Sequence, residues 1–195
     1  MDGILYKVVP AETVAELRLE VGAPATSEVL DFLETAASDV EALEAALRLL
    51  SFRARSRVEL QRRLRRSGHA LPAIDVAVAR CDELGYLDDH AFALAYVRDR
   101  LKFRPRGRRV LAAELRVRGV DRTTAVSAID EAFTEADVSE AELADRLART
   151  RARSLVGLES AVARRRLAAY LARRGFSSAT IREAVGQALK DAPTD

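Results

Sequence analysis

Apolar positions along this chain recur at helical spacing and stop at regular intervals. Three times a leucine is followed four residues on by a second leucine and four further on by a glycine: Leu60-Leu64-Gly68, Leu111-Leu115-Gly119 and Leu167-Leu171-Gly175. Apolar residues at i and i+4 share one face of an α-helix. A glycine just past them predicts a C-cap, where the chain enters the left-handed region. Val120, Ala125, Ile129 and Phe133 follow Gly119, and Phe176, Ile181, Val185 and Leu189 follow Gly175 at the same offsets, predicting a further helix each time. Behind Gly68 the match is looser. With two residues inserted, Leu71, Val76 and Leu84 align while Arg80 falls on the apolar row; Ile74, Val78, Cys81 and Leu84 also give a helical face.

Ahead of the triplets run Val40-Leu43-Leu47-Leu50, then Phe92-Leu94-Tyr96-Val97-Leu101, then Leu143-Leu147 with Leu155. The expectation is an all-α chain of three tandem three-helix repeats, residues 39–87, 88–135 and 139–191, forming an elongated, curved array. A small N-terminal extension, residues 1–38, precedes them with mixed structure. Repeat proteins of this kind act through a surface rather than one enclosed pocket.

Local signals place the boundaries. Ser38 with Glu41, Ser56 with Glu59 and Ser139 with Glu142 have capping-box spacing, in which side chains and backbone satisfy each other at a helix start. Gly85-Tyr86-Leu87 closes the first repeat. Asp88 and Asp89 open the second, where capping and the helix dipole explain two carboxylates better than metal chemistry does. Arg104-Pro105-Arg106-Gly107 breaks the second repeat between its first and second helices, and the glycine-interrupted stretch 151–157 marks the third as divergent. In the extension, the alternation within residues 4–21, notably Leu17 to Val21, predicts a strand or two. Gly22-Ala23-Pro24 then breaks the chain and Ser27 begins a short helix, while Ala192 to Asp195 reads as a frayed tail.

Composition narrows the class. Of 195 residues, 49% are hydrophobic and 32% charged, which is globular rather than disordered. With one cysteine no internal disulfide forms, and Cys81 lies on an apolar helix face, predicting burial. Met1 to Val9 shows neither a long apolar run nor a cleavage site, and no later stretch could span a bilayer, so the cytoplasm is expected. Net charge is only +2, yet residues 1–45 hold ten acidic groups against Lys7 and Arg18, so the basic charge lies beyond them. Arginines cluster before each capping glycine, which favours a basic binding surface. Only three of the 32 basic residues are lysine, so base composition is a competing source of arginine.

Chemistry-bearing constellations are absent: no phosphate-binding glycine loop, no nucleophile elbow, no zinc-binding spacing. His69 and His90 read as surface residues. No enzyme, cofactor or metal is expected.

Arg53-Ala54-Arg55-Ser56-Arg57-Val58-Glu59-Leu60, with Leu64 and Gly68, and then Gly85-Tyr86-Leu87-Asp88-Asp89 with Phe92-Ala93, Tyr96-Val97 and Arg100, resemble the RecX family of recombinase regulators. The resemblance is strong over residues 39–133 and weaker over 139–190, where the Arg-Ser element survives only as Arg153-Ser154, out of place relative to Leu167. It implies a non-enzymatic regulator that binds the RecA–DNA filament and inhibits its ATPase, recombination and strand-exchange activities, so modulating DNA repair and the SOS response. The implied partners are the RecA nucleoprotein filament and, weakly and without sequence specificity, single- and double-stranded DNA. No membrane is implied, and the chain is expected to be a monomer. Candidate contacts are Arg53, Arg55, Arg62, Arg66, Arg104, Arg106, Arg108 and Arg109. Structural caps are Ser56, Glu59, Gly68, Asp88, Asp89, Gly119 and Gly175. The alternative is a DNA-binding protein whose arginine-rich three-helix units act directly on DNA, as helix-turn-helix modules do.

Overall fold

The computed structural model describes residues 7–22 and 24–191, and among them the chain is helical with no strand. It forms two compact units that part between Asp88 and Asp89. In the first, α1 (Ala11–Glu16) leads to α2 (Ser27–Phe52), α3 (Arg57–Arg66) and α4 (Leu71–Glu83).

The strand expected near Leu17 to Val21 does not form; the chain turns there instead. Arg18 takes a left-handed φ of 48°, and Leu19 N–H donates to the Val14 carbonyl at 3.1 Å, closing α1. Ile4 to Tyr6, Ala23 of the Gly22-Ala23-Pro24 break, and the tail from Ala192 lie outside the described residues.

The short helix expected at Ser27 also proves to be the start of something longer. Thr26 caps it through Oγ1, and the helix runs 26 residues to Phe52, straight through Ser38. Ser38 therefore starts no helix, and the junction expected between residues 38 and 39 falls inside α2. Residues 27–41 contain neither glycine nor proline, so a local serine signal has nothing to interrupt. The buried residues of α2 are alanines, Ala37, Ala42 and Ala46, rather than the larger Val40, Leu43 and Leu47.

The first unit's core joins Ala42 and Ala46 to Leu60 and Leu64 of α3 and to Ala73, Ile74, Ala77, Val78 and Cys81 of α4, with Leu87 closing it. The insertion after Gly68 is not needed. Ile74 and Val78 stand six and ten residues beyond Gly68, as Ala125 and Ile129 do beyond Gly119, and both are buried. Leu71, Val76 and Leu84, which the inserted alignment placed on the core, are exposed. Cys81 is buried, and burial pushes its thiol pKa up.

Ser56 is fully buried, and its hydroxyl accepts from Glu59 N–H at 3.1 Å as the N-cap of α3. Ser56→Ala is expected to destabilise the first unit by about 1–2 kcal/mol, read from urea unfolding. Unchanged stability would remove the cap from the account.

The second unit holds two three-helix groups: α5 (Asp89–Phe103), α6 (Arg108–Val117) and α7 (Arg122–Glu135), then α8 (Glu140–Ala152), a short 3-10 turn (Arg153–Leu155), α9 (Ser160–Arg173) and α10 (Ser178–Lys190). In each group the first and third helices pack together and the second lies on the third. One continuous core serves both groups, from Leu111, Leu115, Ile129 and Phe133 to Leu143, Leu167, Leu171 and Val185. Asp88 immediately precedes α5, and Ser139 with Glu142 forms a complete capping box at α8.

Why the triplets recur is now plain in local terms. Gly68, Gly119 and Gly175 have φ of 92°, 85° and 89°. The N–H of the next residue, His69, Val120 or Phe176, donates back to the carbonyl of the second leucine at 3.3, 3.1 and 3.4 Å. This is the Schellman closure, which satisfies a carbonyl the helix end would otherwise leave open. Both leucines of every triplet are completely buried.

Gly175 has a second reason to be glycine. Gly107, the N-cap of α6, donates its N–H to the Arg174 carbonyl at 2.8 Å, so the end of α9 abuts the start of α6. A Cβ on Gly107 would lie 2.7 Å from the Gly175 carbonyl carbon and oxygen; one on Gly175 would lie 2.7 Å from Val110 Cβ. The missing side-chain cap of α6 is supplied from α8, where Glu140 Oε1 accepts from Arg108 N–H at 2.9 Å.

Candidate functional site: the arginine-bearing middle helices

Each middle helix, α3, α6 or α9, turns its leucine pair into a core and its arginines toward solvent. The spacing that buries Leu60 and Leu64 leaves Arg62, Arg63, Arg65 and Arg66 exposed on α3. On α6, Arg109 and Arg116 are exposed; on α9, Arg164, Arg165, Arg166 and Arg173 are. The leucines and glycine recur at fixed register in all three groups, whereas Arg65 with Arg116, Arg66 with Arg173 and Arg109 with Arg165 share a register in two groups only, and Arg62, Arg63 and Arg166 have no counterpart. Folding constrains the former, and the basic faces differ from one unit to the next.

The structure divides the arginine candidates by what they already hold. Arg53 and Arg55 both reach Glu59: the Arg53 guanidinium pairs with its carboxylate in a two-pronged contact, and Arg55 approaches at 3.3 Å while also donating to the Leu49 carbonyl at 3.2 Å. The hydrogen bond to Glu59 raises the pKa of Arg53. Burial, and then the neighbouring Arg53 charge, lowers that of Arg55. Arg108 pairs with Asp130 and lies 4.4 Å from the Phe133 ring centroid, a cation–π contact that ties α6 to α7. Its counterpart, Arg57, pairs with Asp82 of α4 at 2.8 Å, and that hydrogen bond holds Asp82 below the usual carboxylate range. Both stand eleven residues before their capping glycine, so a basic residue at that register clamps the second helix to the third in both units.

Arg66, Arg104, Arg106 and Arg109 are different. Their side chains make no ion pair or hydrogen bond with the described residues, leaving their guanidinium groups available to an anion. Arg62 lies with Arg65 along a shallow groove of about 300 Å³ between α3 and α4.

Three features went unread in the sequence. Tyr96 is held between the guanidinium groups of Arg100 and Arg118, each 4.3 Å from its ring centroid, and donates its hydroxyl to Glu114 at 2.6 Å. Burial and the Glu114 hydrogen bond raise the tyrosine pKa. In the last group Tyr170 lies beneath Arg174, 3.9 Å from the ring centroid. Phe52 and Phe103, the last residues of α2 and α5, are 84% and 66% exposed. Each stands sixteen residues before its glycine, so the signal was present, but it lay outside the helical apolar pattern.

No group of three or more metal-ligating side chains occurs among the described residues. No described helix is long and apolar enough to cross a membrane. What the fold and its surface define is a class: a protein of tandem three-helix units that presents arginine-rich helix faces.

Three family models match in order along the chain: RecX, first three-helix domain, over residues 42–81; second three-helix domain, over 88–129; and third three-helix domain, over 139–185. The chain belongs to the RecX family. The regulatory protein RecX of Mycobacterium sp. (strain JLS) is 41% identical over 133 residues, 67% of this chain and 72% of that one. The regulatory protein RecX of Pelodictyon phaeoclathratiforme is 35% identical over 144 residues, 74% of this chain and 86% of that one. In fold, the chain resembles a crystal structure of regulatory protein RecX with a TM-score of 0.75 at 23% identity, covering 96% and 92% of the two chains. It also resembles RecX from Lactobacillus salivarius, with a TM-score of 0.68 at 22% identity, covering 78% and 97%.

Proposed function

We propose that this protein is a non-enzymatic regulator of RecA that binds the RecA–DNA filament and restrains its ATPase, recombination and strand-exchange activities, so modulating DNA repair and the SOS response. The observation that carries the reading is the match of all three three-helix domains to a family of regulatory proteins. The fold supports it. A filament repeats its subunits, and linked weak contacts gain from effective concentration. Arginines without a partner among the described residues, such as Arg66, Arg104, Arg106 and Arg109, suit an acidic protein surface or phosphate, so DNA is a second, weak partner bound without sequence preference. The protein acts in the cytoplasm and as a monomer.

The test is a titration of RecA's DNA-dependent ATP hydrolysis. Substoichiometric protein is expected to slow it; unchanged hydrolysis at saturating protein would sink the reading. The same unpaired arginines favour direct DNA binding as the alternative. Tight, sequence-selective duplex binding without RecA, in place of inhibition, would select it.

A further inference from the structure

Phe52 and Phe103 close the first helix of their units, and each is followed by Arg-x-Arg: Arg53 and Arg55 in one, Arg104 and Arg106 in the other. Single exposed apolar residues are ordinary on protein surfaces. An aromatic ring repeated at one register with the same basic neighbours asks for a common cause. Lys102 Nζ lies 5.2 Å from the Phe103 ring centroid, and Arg104, Arg106 and Arg109, which follow it in the chain, hold no side-chain partner among the described residues. No other large apolar side chain of α5 is exposed, nor is one in the loop that follows it. Protein docking surfaces present contiguous apolar patches, whereas a lone exposed ring beside a lysine and followed by unpaired arginines matches a polymer that alternates anionic groups with flat π-faces. Single-stranded nucleic acid has that chemistry; a duplex keeps its base faces in the stack.

We propose that Phe103 is a stacking platform for a base of single-stranded nucleic acid, with Arg104, Arg106 and Arg109 holding the flanking phosphates, and that Phe52 is the equivalent, weaker station of the first unit. Phe52 is the weaker because Glu59 occupies Arg53 and Arg55. The residue at the Glu59 register in the second unit is Val110, which leaves the loop arginines free. The last group carries Glu159 at the phenylalanine register and has no station. The inference shares arginines with the regulatory reading but needs no RecA, so the two can fail separately.

The experiment omits RecA and compares an oligothymidylate with an abasic phosphodiester of equal length, by fluorescence anisotropy. The base-bearing polymer is expected to bind about 5- to 150-fold more tightly, the range for stacking one base. Phe103→Ala removes most of that preference at unchanged helicity, and Phe52→Ala removes less. The chain contains no tryptophan, so Phe103→Trp supplies a single reporter whose emission changes with oligothymidylate and not with the abasic polymer. Equal affinity for the two polymers, or a preference that survives Phe103→Ala, overturns the proposal. If Phe103→Ala then still weakens action on RecA, the ring's partner is a protein socket.

Discussion

Gly175→Ala is expected to lower stability by about 2–5 kcal/mol, while Gly68→Ala costs about 1–2 kcal/mol. Both glycines hold a left-handed φ, 89° and 92°, and a Cβ in that region costs about 1–2 kcal/mol. Around Gly68 the added carbon meets nothing within 4 Å. Around Gly175 it meets Val110 Cβ at 2.7 Å and Val110 N at 2.9 Å, on a helix that cannot withdraw without leaving the core, which adds an overpacking cost of about 1–3 kcal/mol. Gly107→Ser sharpens the contrast. By capping preference alone serine should stabilise α6 slightly. Here its Cβ would lie 2.7 Å from the Gly175 backbone and displace Glu140, so the expected sign is reversed. Urea unfolding followed by far-UV circular dichroism reads all three variants. Equal losses for Gly68→Ala and Gly175→Ala, or a gain for Gly107→Ser, would show that the contact between α6 and α9 does not constrain the unit.

Reversal of Arg104, Arg106 and Arg109 to Glu should weaken DNA binding by roughly 10²–10³-fold at moderate salt. Three fewer phosphate contacts remove close to three from the salt-dependence slope, and near 0.1 M each released counterion accounts for almost a factor of ten. Arg108 is left alone because it holds Asp130 and covers Phe133, so its loss would confound binding with folding. Arg53 and Arg55 are excluded for the same reason, being clasped by Glu59. If the proposed regulatory action uses this face, the concentration that half-inhibits RecA's ATP hydrolysis rises with the reversal. A parallel change of Arg122 to Glu, an exposed residue at the start of α7, serves as the charge control. An unchanged salt slope in the triple variant would remove these three side chains from the binding surface.

The sequence revealed the parts of this protein that depend on short-range geometry. A leucine pair and a glycine sit at fixed spacing because one helical face and one Schellman closure set their distances, and both are local. Ser56 and Ser139 were legible for the same reason. Where large side chains stood in for the core, the reading slipped. Ala42, Ala46 and Ala77 line the first unit, and alanine is equally at home on a surface, so burial left no mark at those positions. The inserted register after Gly68 followed Leu71 and Val76, which happen to be exposed. Ser38 imitated a cap inside an uninterrupted helix.

The arginines were legible as a population and not as individuals. Pairing of Arg57 with Asp82 and of Arg108 with Asp130 is set by which helices meet; their shared register before the capping glycine marks the clamp but not its partner. The Tyr96 cluster with Glu114, Arg100 and Arg118 was missed because it joins α5 to α6 across an apolar face. Family resemblance marked the region but did not separate arginines that hold the fold from those left open.

The meeting of Gly107 with Gly175 is made of main chain on both sides. A joint between side chains can be eased over generations by exchanging a methyl for a hydrogen or a leucine for a valine. This one offers no such adjustment, because each glycine already carries the least a residue can carry. At this point of contact between the two three-helix groups of the second unit, substitution of either glycine can only add bulk, so what adjustment the joint allows falls to its flanking side chains, Val110 and Glu140.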